Sequence, residues 1–155
     1  MRKYILVLFS LLLALLAIII SKCTPEACFE ETNAFLKASL YDNETKMLKS
    51  PDSLTVYGIS IDSVKIYDKA KRVQPALLPL DASTSACTFI VIINGIADTV
   101  TFSYDSYPHL ISRECGYSFF HNIDTPVYTT HIIDYIFTGQ KNITTENVEN
   151  IRIFY

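Results

Sequence analysis

Apolar positions follow two different patterns along this chain. From Tyr4 to Ile20 they run without a break, interrupted only by the Tyr4 hydroxyl and Ser10. Beyond Cys23 they come in short runs of four to eight, several of them alternating with polar residues. The first pattern is that of an export signal. Arg2 and Lys3 form a positive start, and the apolar run is long for a signal and a little short of the roughly 20 residues that span a bilayer. A buried helix in so small a protein has no need to be apolar on every face.

The second pattern predicts strands. Asn33 to Tyr41 reads as a first strand ended by Asp42-Asn43. Leu54 to Ile59 and Val64 to Tyr67 follow, separated by a mostly polar turn. Val73 to Leu80 carries Pro75 and Pro79, which places it at a sheet edge or in an extended crossover. Cys87 to Ile93 is apolar on both faces and therefore central. After Asn94-Gly95 comes Thr99 to Tyr104, which alternates strictly. Asn-Gly between two β runs is the preferred two-residue hairpin turn, because both positions must take positive φ. Leu110 to Ser112, Gly116 to Ile123, Pro126 to Ile133 (continued by Asp134 to Phe137) and Ile151 to Tyr155 complete the set. Asn142 to Asn150 is polar and is read as holding one helical turn.

Eight or nine short strands at regular spacing predict an all-β fold, an Ig-like antiparallel β-sandwich preceded by an N-terminal hydrophobic signal helix. The expected organisation is residues 1–22 as signal peptide or membrane anchor, 23–32 as tether, and 33–155 as the β-sandwich domain. An outer-membrane barrel is disfavoured, since its strands need about 10 residues of alternation and Phe89 to Ile93 offers no polar lumen face.

The anchor has three versions. An ordinary cleaved signal wants small residues at positions −3 and −1, and Ile20-Ser21-Lys22 lacks that pair. An uncleaved anchor fits the length, with Arg2 and Lys3 holding the N-terminus inside. A lipoprotein signal fits Ile20, Ser21 and Cys23, with Lys22 departing from its pattern; acylation of Cys23 then supplies the hydrophobic anchor. Outer-membrane lipoprotein facing the periplasm or the cell surface is the preferred localisation. An inner-membrane anchor with a periplasmic domain is the alternative.

Composition changes the picture once the signal is set aside. The chain has 13 basic and 16 acidic residues; Arg2, Lys3 and Lys22 leave with the signal, so the remainder is more acidic still. Nucleic acid is excluded as a partner, because phosphate binding needs a basic stripe. Ten tyrosines, nine phenylalanines and only four glycines favour strands. An even count of four cysteines suggests two bridges in an oxidising compartment. If Cys23 carries lipid, three remain: Cys87 sits in an apolar strand as the natural free thiol, which leaves Cys28 with Cys115.

The segment Asp98-Thr99-Val100-Thr101-Phe102-Ser103-Tyr104, with Leu110-Ile111-Ser112-Arg113-Glu114-Cys115-Gly116, resembles the hallmark of an uncharacterised, domain-of-unknown-function family of bacterial envelope lipoproteins. Cys23 with Cys28, Leu77-Leu78-Pro79-Leu80, and the ending Asn150 to Tyr155 support it. The resemblance implies lipidation at Cys23, Cys28 and Cys115 as the recurring pair, an outer-membrane association and no assigned activity.

Little in the chain points to catalysis. There is no Gly-x-Ser-x-Gly and no glycine-rich phosphate loop. The histidines are His109, His121 and His131; nothing in their spacing forces His121 and His131 into a shared metal site. No cofactor and no metal are expected. Arg113 beside Glu114 reads as a salt bridge or cap, and Tyr104, Tyr107, Tyr117 and Tyr128 as sheet faces that could also bind sugar or peptide. Asp52-Ser53-Leu54, Asp62-Ser63-Val64 and Asp98-Thr99-Val100 resemble acceptors of a bacterial O-glycosylation system, making Ser53, Ser63 and Thr99 candidate sites. The function expected is a non-enzymatic binding or assembly module, held at the membrane and contacting another envelope protein or a glycan. Docking would use an edge strand near Pro75 or at Ile151 to Tyr155. A small envelope hydrolase with a loop-built His and carboxylate site is the alternative.

Overall fold

In a computed structural model of the chain, the residues described are 3–4, 27–59 and 64–155. The expected signal helix over 1–22 therefore lies outside them apart from Lys3 and Tyr4, as do Cys23 and Ser63. No helix lies within 27–59 or 64–155, and no described helix is long and apolar enough to cross a membrane.

Eleven strands follow in chain order: β1 (Phe35–Tyr41), β2 (Leu54–Gly58), β3 (Lys65–Ala70), β4 (Ala76–Pro79), β5 (Ala86–Ile93), β6 (Ile96–Ser112), β7 (Gly116–Ile123), β8 (Val127–Tyr128), β9 (Tyr135–Thr138), β10 (Asn142–Ile143) and β11 (Ile151–Phe154). They form two sheets. The smaller has the order β4-β1-β11-β9; the larger runs β10-β7-β6-β5-β2-β3, with β8 added on β6, and curls into a half-barrel. Alternating inward residues of both sheets make one core, among them Leu36, Leu40, Leu54, Ile93, Phe102 and Ile151, all at least 99% buried. Each contributes about 1.5–3 kcal/mol by leaving water.

Three features depart from the expected eight or nine short antiparallel strands. First, β1 and β11 pair in parallel, Ala38 beside Ile151 through Tyr41 beside Phe154. Asn150 sets this register: its side-chain oxygen accepts the Lys37 N–H (2.8 Å), and its own N–H donates to the Lys37 carbonyl (3.0 Å). Second, Thr99 to Tyr104 and Leu110 to Ser112 are parts of one strand of 17 residues. The first half of β6 pairs with β5 and the second with β7. Pro108 is tolerated because the Tyr104 N–H points to the β5 side, bonding the Ser85 carbonyl, so the even-numbered Pro108 lacks its donor only toward an edge that β5 no longer covers. Third, residues 142–150 hold the two-residue β10 and no helical turn. Asn150 draws that segment onto β1 instead, its amide donating to the Gln140 and Asn142 carbonyls.

The Asn94-Gly95 turn forms as predicted, with φ of 50° and 89° and Ile93 opposite Ile96. The edge position of β4 is also as predicted, whereas β11 is interior to its sheet and is not a free edge. Beyond Ala76, the Gln74 side chain continues the ladder for β1: it accepts the Leu40 N–H and donates to the Leu40 carbonyl.

Candidate functional site

The outward face of the smaller sheet carries the densest grouping of functional side chains. Strand alternation turns Ile151 and Ile153 inward and Arg152 and Phe154 outward. The register then places Tyr41 and Tyr135 beside Phe154, and Phe137 beside Arg152. Tyr135 stacks on Phe154 with ring centres 4.3 Å apart, and Tyr41 stacks on it at 5.2 Å. Two cations lie over these rings. Lys46 Nζ is 4.9 Å from the centre of Tyr135 and 5.1 Å from that of Phe154. The Arg152 guanidinium is 5.5 Å from Tyr41 and 5.7 Å from Phe137. Glu149 fixes both partners, pairing with Arg152 Nε and accepting the Tyr41 hydroxyl at 3.0 Å.

The loop after β1 positions Lys46. Asp42 accepts hydrogen bonds from Lys49 Nζ and from the N–H and hydroxyl of Thr45, and its carbonyl accepts the Lys46 N–H. The Lys49 ammonium first, and the Thr45 donors after it, hold the Asp42 carboxyl well below the usual carboxylate range. The result is a cluster in which Phe154, itself buried, is covered by Tyr41, Tyr135 and Lys46, while Tyr135, Phe137 and Arg152 remain exposed and able to meet a sugar ring or an apolar side chain and to donate hydrogen bonds beside it. Of these rings the sequence marks only Phe154 for docking, as part of Ile151 to Tyr155. The alternation of Ile151 to Phe154 marks Arg152 and Phe154 as one face, but only the long-range parallel pairing brings in Tyr41.

The tyrosines that were singled out are dispersed. Tyr104 is buried and bonds Asp81 and Thr84, and the Tyr107 hydroxyl donates to Asn142. Tyr128 packs against the core and receives the Ile136 N–H. Tyr117 alone is broadly exposed.

The histidines do not meet. His109 stacks on Phe120 at 4.4 Å. His121 is buried, bonds Ser106 Oγ at 2.8 Å and lies edge-on to Tyr104; burial pushes its pKa down, favouring the neutral ring. His131 Nδ1 lies 2.8 Å from Asp98, so one His–carboxylate pair exists. Asp98 is 1% exposed and also accepts the Thr129 hydroxyl and the backbone N–H groups of His131, Ile132 and Ile133. Burial alone would raise its pKa; these donors outweigh burial and hold it well below the usual range. They also explain why Pro126 to Ile133 is not one strand beyond Tyr128, since the N–H groups of 131–133 turn to a carboxylate rather than to a neighbouring strand. The His131 side chain is 67% exposed. The clefts around Cys87, the disulfide, Phe35 and Asp42 each lack a histidine together with a carboxylate. Among the described residues no group of three or more His, Cys, Asp or Glu is placed to hold a metal ion.

Cys28 and Cys115 form a disulfide, with Cα atoms 4.8 Å apart, which points to an oxidising, extracytoplasmic location. Cys87 is free and half-buried, lining an apolar cleft of about 380 Å³ with Ile59, Ile66, Pro79 and Phe89; burial pushes its thiol up to about 11. Arg113 and Glu114 lie exposed on the β6–β7 turn and form no ion pair with each other. Of the glycosylation candidates, Ser53 is half-buried, its N–H bonded to Asn94 Oδ1, and Thr99 lies on β6 with its N–H bonded to Thr129 Oγ1. The aspartate of the Thr99 pattern is the buried Asp98.

A family model, described as a family of unknown function (DUF6452), matches residues 53–155, about two thirds of the chain. The chain belongs to that family. The DUF6452 match covers ten of the eleven strands, Cys87 and Cys115; β1 and Cys28 precede it. No curated protein and no solved structure matches the chain.

Proposed function

We propose that this chain is a lipid-anchored bacterial envelope module that binds another envelope protein or a glycan and does not itself catalyse a reaction. The apolar run from Tyr4 to Ile20 behind Arg2 and Lys3, with Cys23 after it, supports the anchor and an outer-membrane address. An Ig-like sandwich is the finer fold assignment that goes with it, supported by two sheets of alternating strands around one core. The observation that carries the binding reading is the exposed aromatic and cationic patch of Lys46, Tyr135, Phe137 and Arg152, supported from beneath by Tyr41 and the buried Phe154.

Site-specific photo-crosslinking in the native host tests it. A crosslinker in place of Phe137 should give a discrete adduct that Arg152→Ala abolishes. The same group in place of Val127, exposed on the larger sheet, should give none. Equal labelling from both positions, with no retention on isolated envelope glycan, would dispose of the proposal.

A small envelope hydrolase has one observation in its favour, the Asp98–His131 pair. Against it, a catalytic hydroxyl should face the far nitrogen of the ring, and Thr129 instead donates to Asp98 itself. The imidazole also stands in open solvent, where charge stabilisation is weak.

A further inference from the structure

The β6–β7 hairpin carries a core face that outruns its cover. Opposed pairs on that face are Tyr104 with Ile123, Ser106 with His121, Pro108 with Phe119, and Leu110 with Tyr117. Tyr104, Ile123 and His121 are buried. The same alternation then delivers Phe119, Leu110 and Tyr117, which are 50%, 47% and 72% exposed. Pairing of β5 with β6 stops at Ser103, and β10 reaches only His121 on β7, so the end of the hairpin is a two-stranded ribbon. Two contacts bind the N-terminal segment to this ribbon: the Cys28–Cys115 disulfide, and the Ser118 hydroxyl donating to the Thr32 carbonyl. They bring Phe29, 92% exposed, to the same end of the domain.

We propose that this end docks on the lipid bilayer, with Phe29, Leu110, Tyr117 and Phe119 entering its interfacial layer. The inference rests on the membrane tether of the preceding section and specifies how the domain stands on it. Cys28 lies five positions after Cys23, and at no more than about 3.6 Å per step the two are at most about 18 Å apart. With Cys23 acylated, the bridge cannot lie farther than that from the surface, and the bridge is fastened to the ribbon turn. Tyrosine and phenylalanine rings suit the depth at which headgroups meet acyl chains. Charge narrows the chemistry further. Glu30, Glu31 and Glu114 outnumber Arg113 at this end, so apolar insertion and not attraction to anionic headgroups supplies the contact, and a zwitterionic bilayer suffices.

The chain has no tryptophan, so one substitution gives a unique reporter. Tyr117→Trp places it on the ribbon; Ile96→Trp places it on an exposed position at the opposite end of β6. The full acylated chain is reconstituted into phosphatidylcholine vesicles with brominated acyl chains and followed by fluorescence and flotation. Both variants should float, with Tyr117→Trp quenched about two-fold or more and Ile96→Trp unchanged, as interfacial insertion of one end requires. Variants that float with neither reporter quenched, or both equally, overturn the docking and leave the tether intact. A chain that does not float overturns both.

Discussion

The Tyr67 hydroxyl, carried by the larger sheet, accepts the outward N–H of Leu77 on β4 at 2.9 Å. The other outward position of that strand is Pro79, which has no N–H to offer. At the opposite edge of the same sheet the Tyr128 hydroxyl receives the Ile136 N–H of β9 at 3.2 Å. On each edge a tyrosine from the facing sheet thus takes one outward N–H, which leaves fewer donors for an added strand. Tyr67→Phe and Tyr128→Phe should each cost about 1 kcal/mol in chemical denaturation. Only Tyr128→Phe should bring concentration-dependent self-association in sedimentation, because Pro79 still guards β4. Association of the Tyr67 variant alone would refute this account of the edges.

Asp98 organises the loop from Thr129 to Ile133, and its substitution separates a structural hub from a catalytic pair. Asp98→Asn keeps one acceptor and loses the charge, and should cost about 3 kcal/mol. His131→Ala should cost under about 1 kcal/mol, since its ring is mostly solvent-exposed and its backbone N–H remains. The pH dependence follows from the depressed carboxyl. A folded pKa below the unfolded value of about 3.9 gives stability that is complete above that value and is lost as pH falls through the folded one. Acid titration of unfolding free energy should show this loss below about pH 4, weakened in Asp98→Asn. Equal costs for the two substitutions would argue that the imidazole matters as much as the carboxylate.

Much of this architecture was legible locally. Asn94-Gly95 announced its hairpin, Pro75 and Pro79 announced an edge, and Cys87 to Ile93 announced a central strand, because each signal rests on the backbone of a few adjacent residues. The misreadings share a different cause. Thr99 to Tyr104 and Leu110 to Ser112 read as separate strands, yet they are one, and the Pro108 between them is harmless only because β5 is absent beside it. Ile151 to Tyr155 reads as an edge strand, yet Asn150 docks Ile151 to Phe154 between β1 and β9. The same parallel pairing hid the aromatic face, since Tyr41 and Phe154 meet across the whole chain. Asp98 read as part of a modification pattern, although its carboxylate is spent on amides more than 30 residues away.

His121 gives the domain a second response to acid, in a higher pH range. Burial depresses its folded pKa below the unfolded value of about 6.5. The unfolded chain then binds the extra proton first, so the contribution is fully present above about pH 6.5 and declines as pH falls below it. Unfolding free energy measured between pH 7 and about pH 5.5 should fall in the parent chain, and that slope should shrink in His121→Leu. An unchanged slope would assign the response elsewhere.

The bridged cysteines and the free one play different parts. The Cys28–Cys115 bridge spans 87 positions and pins a two-stranded ribbon that would be marginal alone. Cys28→Ser with Cys115→Ser should therefore cost about 2–4 kcal/mol. Its effect should concentrate on amide exchange in Leu110 to Ser118, where the ribbon lacks neighbours on either side, and spare Phe102 and Val100 in the core. Cys87 should behave as an inert thiol: pushed up to about 11 by burial, it carries almost no thiolate at neutral pH. A thiol reagent added to the native chain at pH 7 should label it slowly and, after full unfolding, at the rate of a free cysteine. Fast labelling of the native chain would mean that the cleft lined by Ile59, Pro79 and Phe89 opens to solvent, and would make Cys87 a reactive group in its own right.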